Sequence, residues 1–159
     1  AGLAEIVKEK FSEADMLLST STSGLAQSSI TATILDLPMG YVRSGHKDHG
    51  RQNQIEGKME PGTKVVVIED LISTGGSVLE VVDVLRQAGA QVLGIASIFT
   101  YGLQKGVERL AAADVVNYSL SDFDTLSKVA AAEGYIADKD IAKLTAFQKN
   151  PQDPAWMEL

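Results

Sequence analysis

The sequence predicts an α/β fold with a mainly parallel central sheet, and two observations carry that prediction. Apolar runs of strand character alternate with segments of helical spacing almost throughout the 159 residues. One run, Val65-Val66-Val67-Ile68, is apolar at every position, as a central strand covered by helices on both sides must be. With 45% hydrophobic residues, the chain suits one domain, 1–159, around one core.

Taken in order, Leu3, Ile6, Val7 and Phe11 share one face of a helix over 1–11. No capping residue precedes it, so the expectation is a chain that starts inside a longer protein. A short buried strand is predicted at 14–19, followed by the Ser/Thr-rich turn 20–24 and a helix over 25–35. Pro38 opens a strand over 39–43. From Ser44 to Gln54 there is almost nothing apolar, two glycines and a cluster of charges, the composition of a mobile surface loop.

After the turn at Pro61-Gly62, the strand 64–68 delivers Glu69 and Asp70 at its carboxyl end. Val78, Val81, Val82, Leu85 and Ala88 then follow helical spacing until Gly89 stops the helix. Another buried strand is predicted at 92–99, a helix at 105–112, a strand near 115–120, and helices near 124–133 and 138–149. The tail 151–159 carries two prolines and Trp156 and reads as a packed terminal extension.

Composition narrows the chemistry. Cysteine is absent, which leaves any metal to oxygen ligands or to His46 and His49 and makes Mg²⁺ the natural candidate. A formal charge of −7 argues against a general nucleic-acid binder, because such proteins present a basic face to the phosphate backbone. No apolar run is long enough to cross a bilayer and no secretory leader is visible, so a cytoplasmic protein is the default. A small anionic ligand stays open, since Arg43, Lys47, Arg51 and both histidines crowd into one stretch.

The most informative segment is Val65 to Ser77. Two adjacent carboxylates follow a buried strand, and a short loop of small residues then turns into a helix N-terminus, where free amides and the helix dipole favour anions. Gly75 and Gly76 let backbone approach an anion, while Ser73, Thr74 and Ser77 surround it with hydroxyls and amides. A phosphate fits this cradle. The loop is neither a Walker A sequence, which needs a lysine where Ser77 stands, nor a G-x-G-x-x-G fingerprint. Carboxylates accept hydrogen bonds from vicinal hydroxyls, so acids beside a phosphate cradle point to a ribose phosphate.

The run Val65-Val66-Val67-Ile68-Glu69-Asp70-Leu71-Ile72-Ser73-Thr74-Gly75-Gly76-Ser77 resembles the signature of the type I phosphoribosyltransferase family. Within that family, Tyr41-Val42-Arg43 with Lys47-Asp48-His49-Gly50 and Gln54-Ile55-Glu56-Gly57 is similar to the mobile loop and following strand of the orotate phosphoribosyltransferases. The resemblance implies the type I phosphoribosyltransferase fold and the transfer of a phosphoribosyl group from 5-phosphoribosyl-1-pyrophosphate (PRPP) to orotate in pyrimidine synthesis. It implies that Glu69 and Asp70 hold the ribose hydroxyls, that the loop through Leu71, Ile72 and Ser73 to Ser77 binds PRPP with Ser73–Ser77 on its 5-phosphate, and that Ser73 faces orotate. Arg43, Lys47 and His49 are implied to bind pyrophosphate from a loop, 44–54, that closes over the neighbouring subunit of a homodimer. Lys47 is the first choice for the catalytic cation, with Asp70 beside it in the catalytic set. Mg²⁺ is implied as cofactor, carried mainly by PRPP itself.

Three positions depart from the family pattern. Ser44 stands where a second basic residue often follows the loop arginine. The pyrophosphate turn is the Ser-rich Ser19-Thr20-Ser21-Thr22-Ser23-Gly24, and the N-terminal hood of the family does not precede Ala1. His46 and Arg51 read as solvated surface residues, and Phe99 and Tyr101 as packing at a strand end. Two other readings compete: a purine-type phosphoribosyltransferase, and a PRPP-binding regulator without catalysis.

Overall fold

The computed structural model describes residues 1–43 and 54–158. Its centre is a six-stranded sheet in the order β3-β2-β1-β4-β5-β6. The strands are β1 (Met16–Thr20), β2 (Met39–Val42), β3 (Ile55–Glu56), β4 (Lys64–Ile72), β5 (Gln91–Thr100) and β6 (Asn117–Asp122). All neighbours run parallel except β2 and β3, which pair antiparallel. The helices are α1 (Gly2–Lys10), α2 (Leu25–Leu35), α3 (Gly76–Gln87), α4 (Gln104–Ala112), α5 (Phe123–Ala132) and α6 (Asp140–Lys149), followed by a 3-10 turn at Pro154–Glu158. The α/β class with a mainly parallel sheet is therefore as the sequence predicts.

Alternation along β4 explains its uninterrupted apolar run. Val65 and Val67 pack with Val78, Val82, Leu85 and Ile95 on the α3 side, while Val66 and Ile68 pack with Leu3, Val7, Phe11 and Leu17 on the side of α1 and α2. Both faces are covered over 65–68, so the run is apolar at every position. The Phe11 ring fits because residue 94 is glycine; a Cβ there would lie 2.5 Å from the ring.

Helix α3 ends as its glycine foretells. Gly89 takes φ +89°, and the amides of Gly89 and Ala90 donate to the carbonyls of Arg86 and Leu85 at 3.0 Å each. These two bonds satisfy carbonyls that the last turn would leave unpaired. At the other end of the fold, Asp122 Oδ1 accepts from the Thr125 amide at 2.7 Å and caps α5. That bond is the main reason the Asp122 carboxyl stays below its ordinary pKa.

Several boundaries differ from the sequence expectation. Strand β4 continues through Glu69, Asp70, Leu71 and Ile72 instead of ending at Ile68, because the long β5 offers partners to its end: Leu71 faces Phe99 and Ile72 faces Thr100. Strand β6 starts at Asn117 rather than near 115, since Val115 is taken up by the core and Asp114 turns the chain with φ 49°. The terminal segment packs through an aromatic chain in which Tyr101, Phe123, Phe147 and Trp156 meet at successive centroid distances of 5.6, 5.9 and 5.3 Å. No helix among the described residues is long and apolar enough to span a membrane.

Candidate active site

Strand order decides where the site lies. The chain moves from β1 outward to β2 and β3, then returns to place β4 on the other side of β1 and continues outward to β5 and β6. Where the order reverses, sheets of this kind bind ligands outside the carboxyl ends of the two strands, here β1 and β4. Ser19 pairs with Ile68, so the next residues in each strand, Thr20 and Glu69, meet at these carboxyl ends.

Glu69 is only 2% exposed, and its Oε1 accepts three hydrogen bonds. Thr20 Oγ1 donates at 2.9 Å, Ser23 Oγ at 3.2 Å and the Asp70 amide at 2.9 Å. Asp70 is half-buried, and its Oδ1 accepts from the Leu71 amide at 2.7 Å. Burial is the largest influence on Glu69 and raises its pKa from 4.5 to about 7, with the Asp70 carboxyl adding to the rise; the Asp70 amide and Thr20 pull the other way. An acid so placed gains from hydroxyl donors that favour its ionised form.

Gly24 seats the turn after β1 directly against β4. A Cβ on Gly24 would stand 2.6 Å from the Ile68 carbonyl oxygen and 3.0 Å from Ser19 Cβ, so only glycine allows this approach. Within the turn the Ser21–Thr22 peptide is cis, and the Ser21 amide donates to the Val42 carbonyl at 3.1 Å. That bond joins the turn to the end of β2, where Arg43 lies 3.2 Å from Glu56 in an ion pair across to β3.

Beyond β4 the cradle is short: Ser73, Thr74 and Gly75, then α3 from Gly76. Gly75 has φ +72°, a left-handed turn that glycine adopts without strain and that starts the helix. Ser73 and Ser77 are exposed and Thr74 half-buried, while Ile72 is buried in the α3-side core and Leu71 is exposed. The fold thus brings Glu69, Asp70, Ser73, Thr74, Gly75, Gly76 and Ser77 to one place, with Arg43 on the far side of the β1 turn. Lys47, His49, His46 and Arg51, and all of the predicted loop 44–54 except Gln54, lie outside the described residues.

Two features at the site escaped the sequence reading. Thr20 and Ser23, treated there as part of a pyrophosphate turn, are the hydroxyl partners of Glu69; a run of small polar residues directly after a fully buried strand was the available signal. Gly106, Arg109 and Leu110 of α4 lie against the cradle, and an isolated glycine inside the helical stretch 104–112 was the signal for a close approach.

Comparison with known proteins follows the same lines. The family model described as phosphoribosyl transferase domain matches residues 1–128. The orotate phosphoribosyltransferase of Bacillus cytotoxicus is 53% identical over 157 residues, which is 99% of this chain and 75% of that protein. The enzyme of the same description from Bacillus anthracis is also 53% identical, with the same coverage. Among solved structures, the orotate phosphoribosyltransferase of Aeropyrum pernix superposes with a TM-score of 0.73 at 29% identity, over 85% of this chain and 73% of that one. Leishmania donovani UMP synthase shares the fold, with a TM-score of 0.77 at 22% identity over 92% of this chain and 31% of its own. The strand reversal, its acid pair and its glycine-bearing turn therefore sit in a chain that belongs to the phosphoribosyl transferase domain family, among its orotate phosphoribosyltransferases.

Proposed function

We propose that the protein transfers the 5-phosphoribosyl group of PRPP to orotate, giving orotidine 5′-monophosphate and pyrophosphate. The observation that carries this reading is the placement of Glu69 and Asp70 immediately before a glycine-bearing anion cradle at the strand reversal. Glu69 and Asp70 accept hydrogen bonds from the ribose hydroxyls, and the Ser73–Ser77 amides and hydroxyls enclose the 5-phosphate at the N-terminus of α3. Ser73 faces the orotate side.

In the reaction the anomeric C–O bond breaks as a ring nitrogen of orotate bonds to the sugar carbon, the bonding electrons leave with pyrophosphate, and the nitrogen gives up its proton to the departing pyrophosphate or to solvent. Positive charge spreads over the sugar ring while negative charge grows on the departing group. Arg43, Lys47 and His49 are assigned to that growing charge, with Lys47 as the catalytic cation, and the segment 44–54 is assigned to close over the site of a neighbouring subunit in a homodimer. Holding the ribose at two points and the phosphate at a third fixes the anomeric carbon for attack, and closure keeps water from it.

A divalent cation suits the donor set in a limited way. Among the described residues no group of three or more His, Cys, Asp or Glu could hold a metal, so Glu69 and Asp70 offer carboxylate oxygens without forming a cage. Mg²⁺ is commonly held by one or two carboxylates, waters and substrate phosphates, and bound mainly through PRPP it supplies charge neutralisation at the pyrophosphate. The cytoplasm is the proposed location.

The test is calorimetric titration of the full-length protein with PRPP and Mg²⁺, then a turnover assay offering orotate and hypoxanthine separately. Saturable PRPP binding with consumption of orotate alone is the expected result. Preference for hypoxanthine would replace the substrate assignment, and failure to bind PRPP would remove the reading altogether.

A further inference from the structure

Helix α4 lies against the phosphate cradle with one face. Residues three and four apart share a helix face, and here Gly106, Arg109 and Leu110 meet successive residues of the loop. A Cβ on Gly106 would stand 2.4 Å from the Ser73 carbonyl oxygen and 3.6 Å from Thr74 Cα, so the helix backbone touches the loop backbone directly. Arg109 Nη1 donates to the Thr74 carbonyl at 3.3 Å, and the same nitrogen lies 3.4 Å from where a Gly76 side chain would begin. Leu110 Cγ lies 3.8 Å from the corresponding point on Gly75.

The far end of α4 is itself anchored. Arg86 of α3 spans the gap with both guanidinium nitrogens, Nη1 donating to the Ala113 carbonyl at 2.6 Å and Nη2 to the Asp114 carbonyl at 2.9 Å. Helix α3 thus holds α4, and α4 holds the loop from which α3 springs. The arrangement matters because an anion cradle works through backbone amides, whose directions are set by the loop's own dihedrals. Ser73, Thr74 and Gly75 have no helix or strand ladder of their own to fix them. A clamped carbonyl restrains the loop's dihedrals and so lowers the ordering cost of ligand binding.

We propose that α4 is the backstop of the phosphate cradle and that Arg109 is a positioning residue for it, holding the Thr74 carbonyl so that the cradle amides are preset for the 5-phosphate. The proposal rests on the phosphoribosyl reading above and extends it to a helix outside the substrate contacts. Arg109 also places a cation beside the start of α3, where it adds to the attraction for a dianionic phosphate.

The experiment compares the full-length wild type with Arg109→Met and Arg109→Lys by calorimetric titration, using ribose 5-phosphate and inorganic pyrophosphate as separate probes. Arg109→Met is expected to weaken ribose 5-phosphate binding roughly three- to tenfold, the effect of one lost hydrogen bond near a charged ligand, with pyrophosphate affinity unchanged. Arg109→Lys restores the charge and part of the affinity. Equal losses for both probes, or an unaltered ribose 5-phosphate constant in Arg109→Met, would overturn the proposal. A wild type that ignores ribose 5-phosphate would instead refute the site assignment on which it rests. Gly106→Ala is a second probe of the backbone contact: a folded variant with undiminished ribose 5-phosphate affinity also counts against the backstop.

Discussion

Thr20 Oγ1 donates to Glu69 Oε1 at 2.9 Å across 49 positions of sequence, and through this bond the turn after β1 and the acid pair of β4 behave as one unit. Loss of the donor leaves a buried carboxylate short of a partner. Thr20→Val is expected to cost about 1–3 kcal/mol of stability in urea unfolding and to push the Glu69 pKa further up. Thr20→Ser, which keeps the hydroxyl, restores most of both.

Glu69 also sets a pH dependence. Its folded pKa of about 7 lies above the ordinary 4.5, so the folded chain keeps a proton that the unfolded chain releases, and stability falls as pH rises from about 4.5 to about 7. Below that window the group contributes nothing further. Glu69→Gln can still accept from Thr20 and carries no charge to desolvate. Thermal melts should find Glu69→Gln more stable than wild type at pH 8, by no more than about 3 kcal/mol, and level with it near pH 4. A wild-type advantage at pH 8 contradicts this account. In titrations with PRPP the same variant should bind more weakly, because a ribose hydroxyl loses its ionised acceptor.

Asp70 is half-buried and its Oδ1 is engaged by the Leu71 amide. Asp70→Asn keeps the shape and one acceptor while removing charge. The PRPP dissociation constant is expected to rise by about tenfold with little change in melting temperature, as for a hydrogen bond to a charged acceptor. An unaltered constant would refute its role at the ribose.

Lys47 falls in the stretch assigned to the departing pyrophosphate. Lys47→Ala should reduce turnover on the order of a hundredfold, the scale of removing one preset charge-stabilising donor, and leave thermal unfolding unchanged. Normal turnover takes Lys47 out of the mechanism.

Gly24 tests the seat of the β1 turn by sterics alone, since its φ of −85° suits any residue. A methyl group there meets the Ile68 carbonyl oxygen and Ser19 Cβ, neither able to move without shifting a strand. Gly24→Ala is expected to destabilise by about 1–3 kcal/mol, as overpacking in a filled interior does, and to weaken PRPP binding by displacing Thr20 and Ser23. Chemical denaturation with parallel titration checks both.

The α/β class, the central position of β4 and the passage from that strand through a glycine-bearing turn into α3 were legible because each is local. An unbroken apolar run records helices on two faces, helical spacing records one buried stripe, and a glycine where a helix stops records a left-handed turn such as that at Gly89. Local pattern also placed Glu69 and Asp70 just before the turn into α3. It ended β4 too early, however, because whether Glu69 to Ile72 continue a strand depends on β5 having free partners alongside them.

Tertiary structure decided what those residues do to one another. Sequence spacing does not record that β1 lies beside β4, so the small polar run after β1 does not by itself name Glu69 as the partner of Thr20 and Ser23, nor show that burial raises the Glu69 pKa. Nor does it record that Gly106 and Arg109 reach back to Ser73 and Thr74. Periodicity reports only how a residue sits in its own element, whereas pKa, preorganisation and close backbone approach arise from charges and atoms that distant segments bring within a few ångströms.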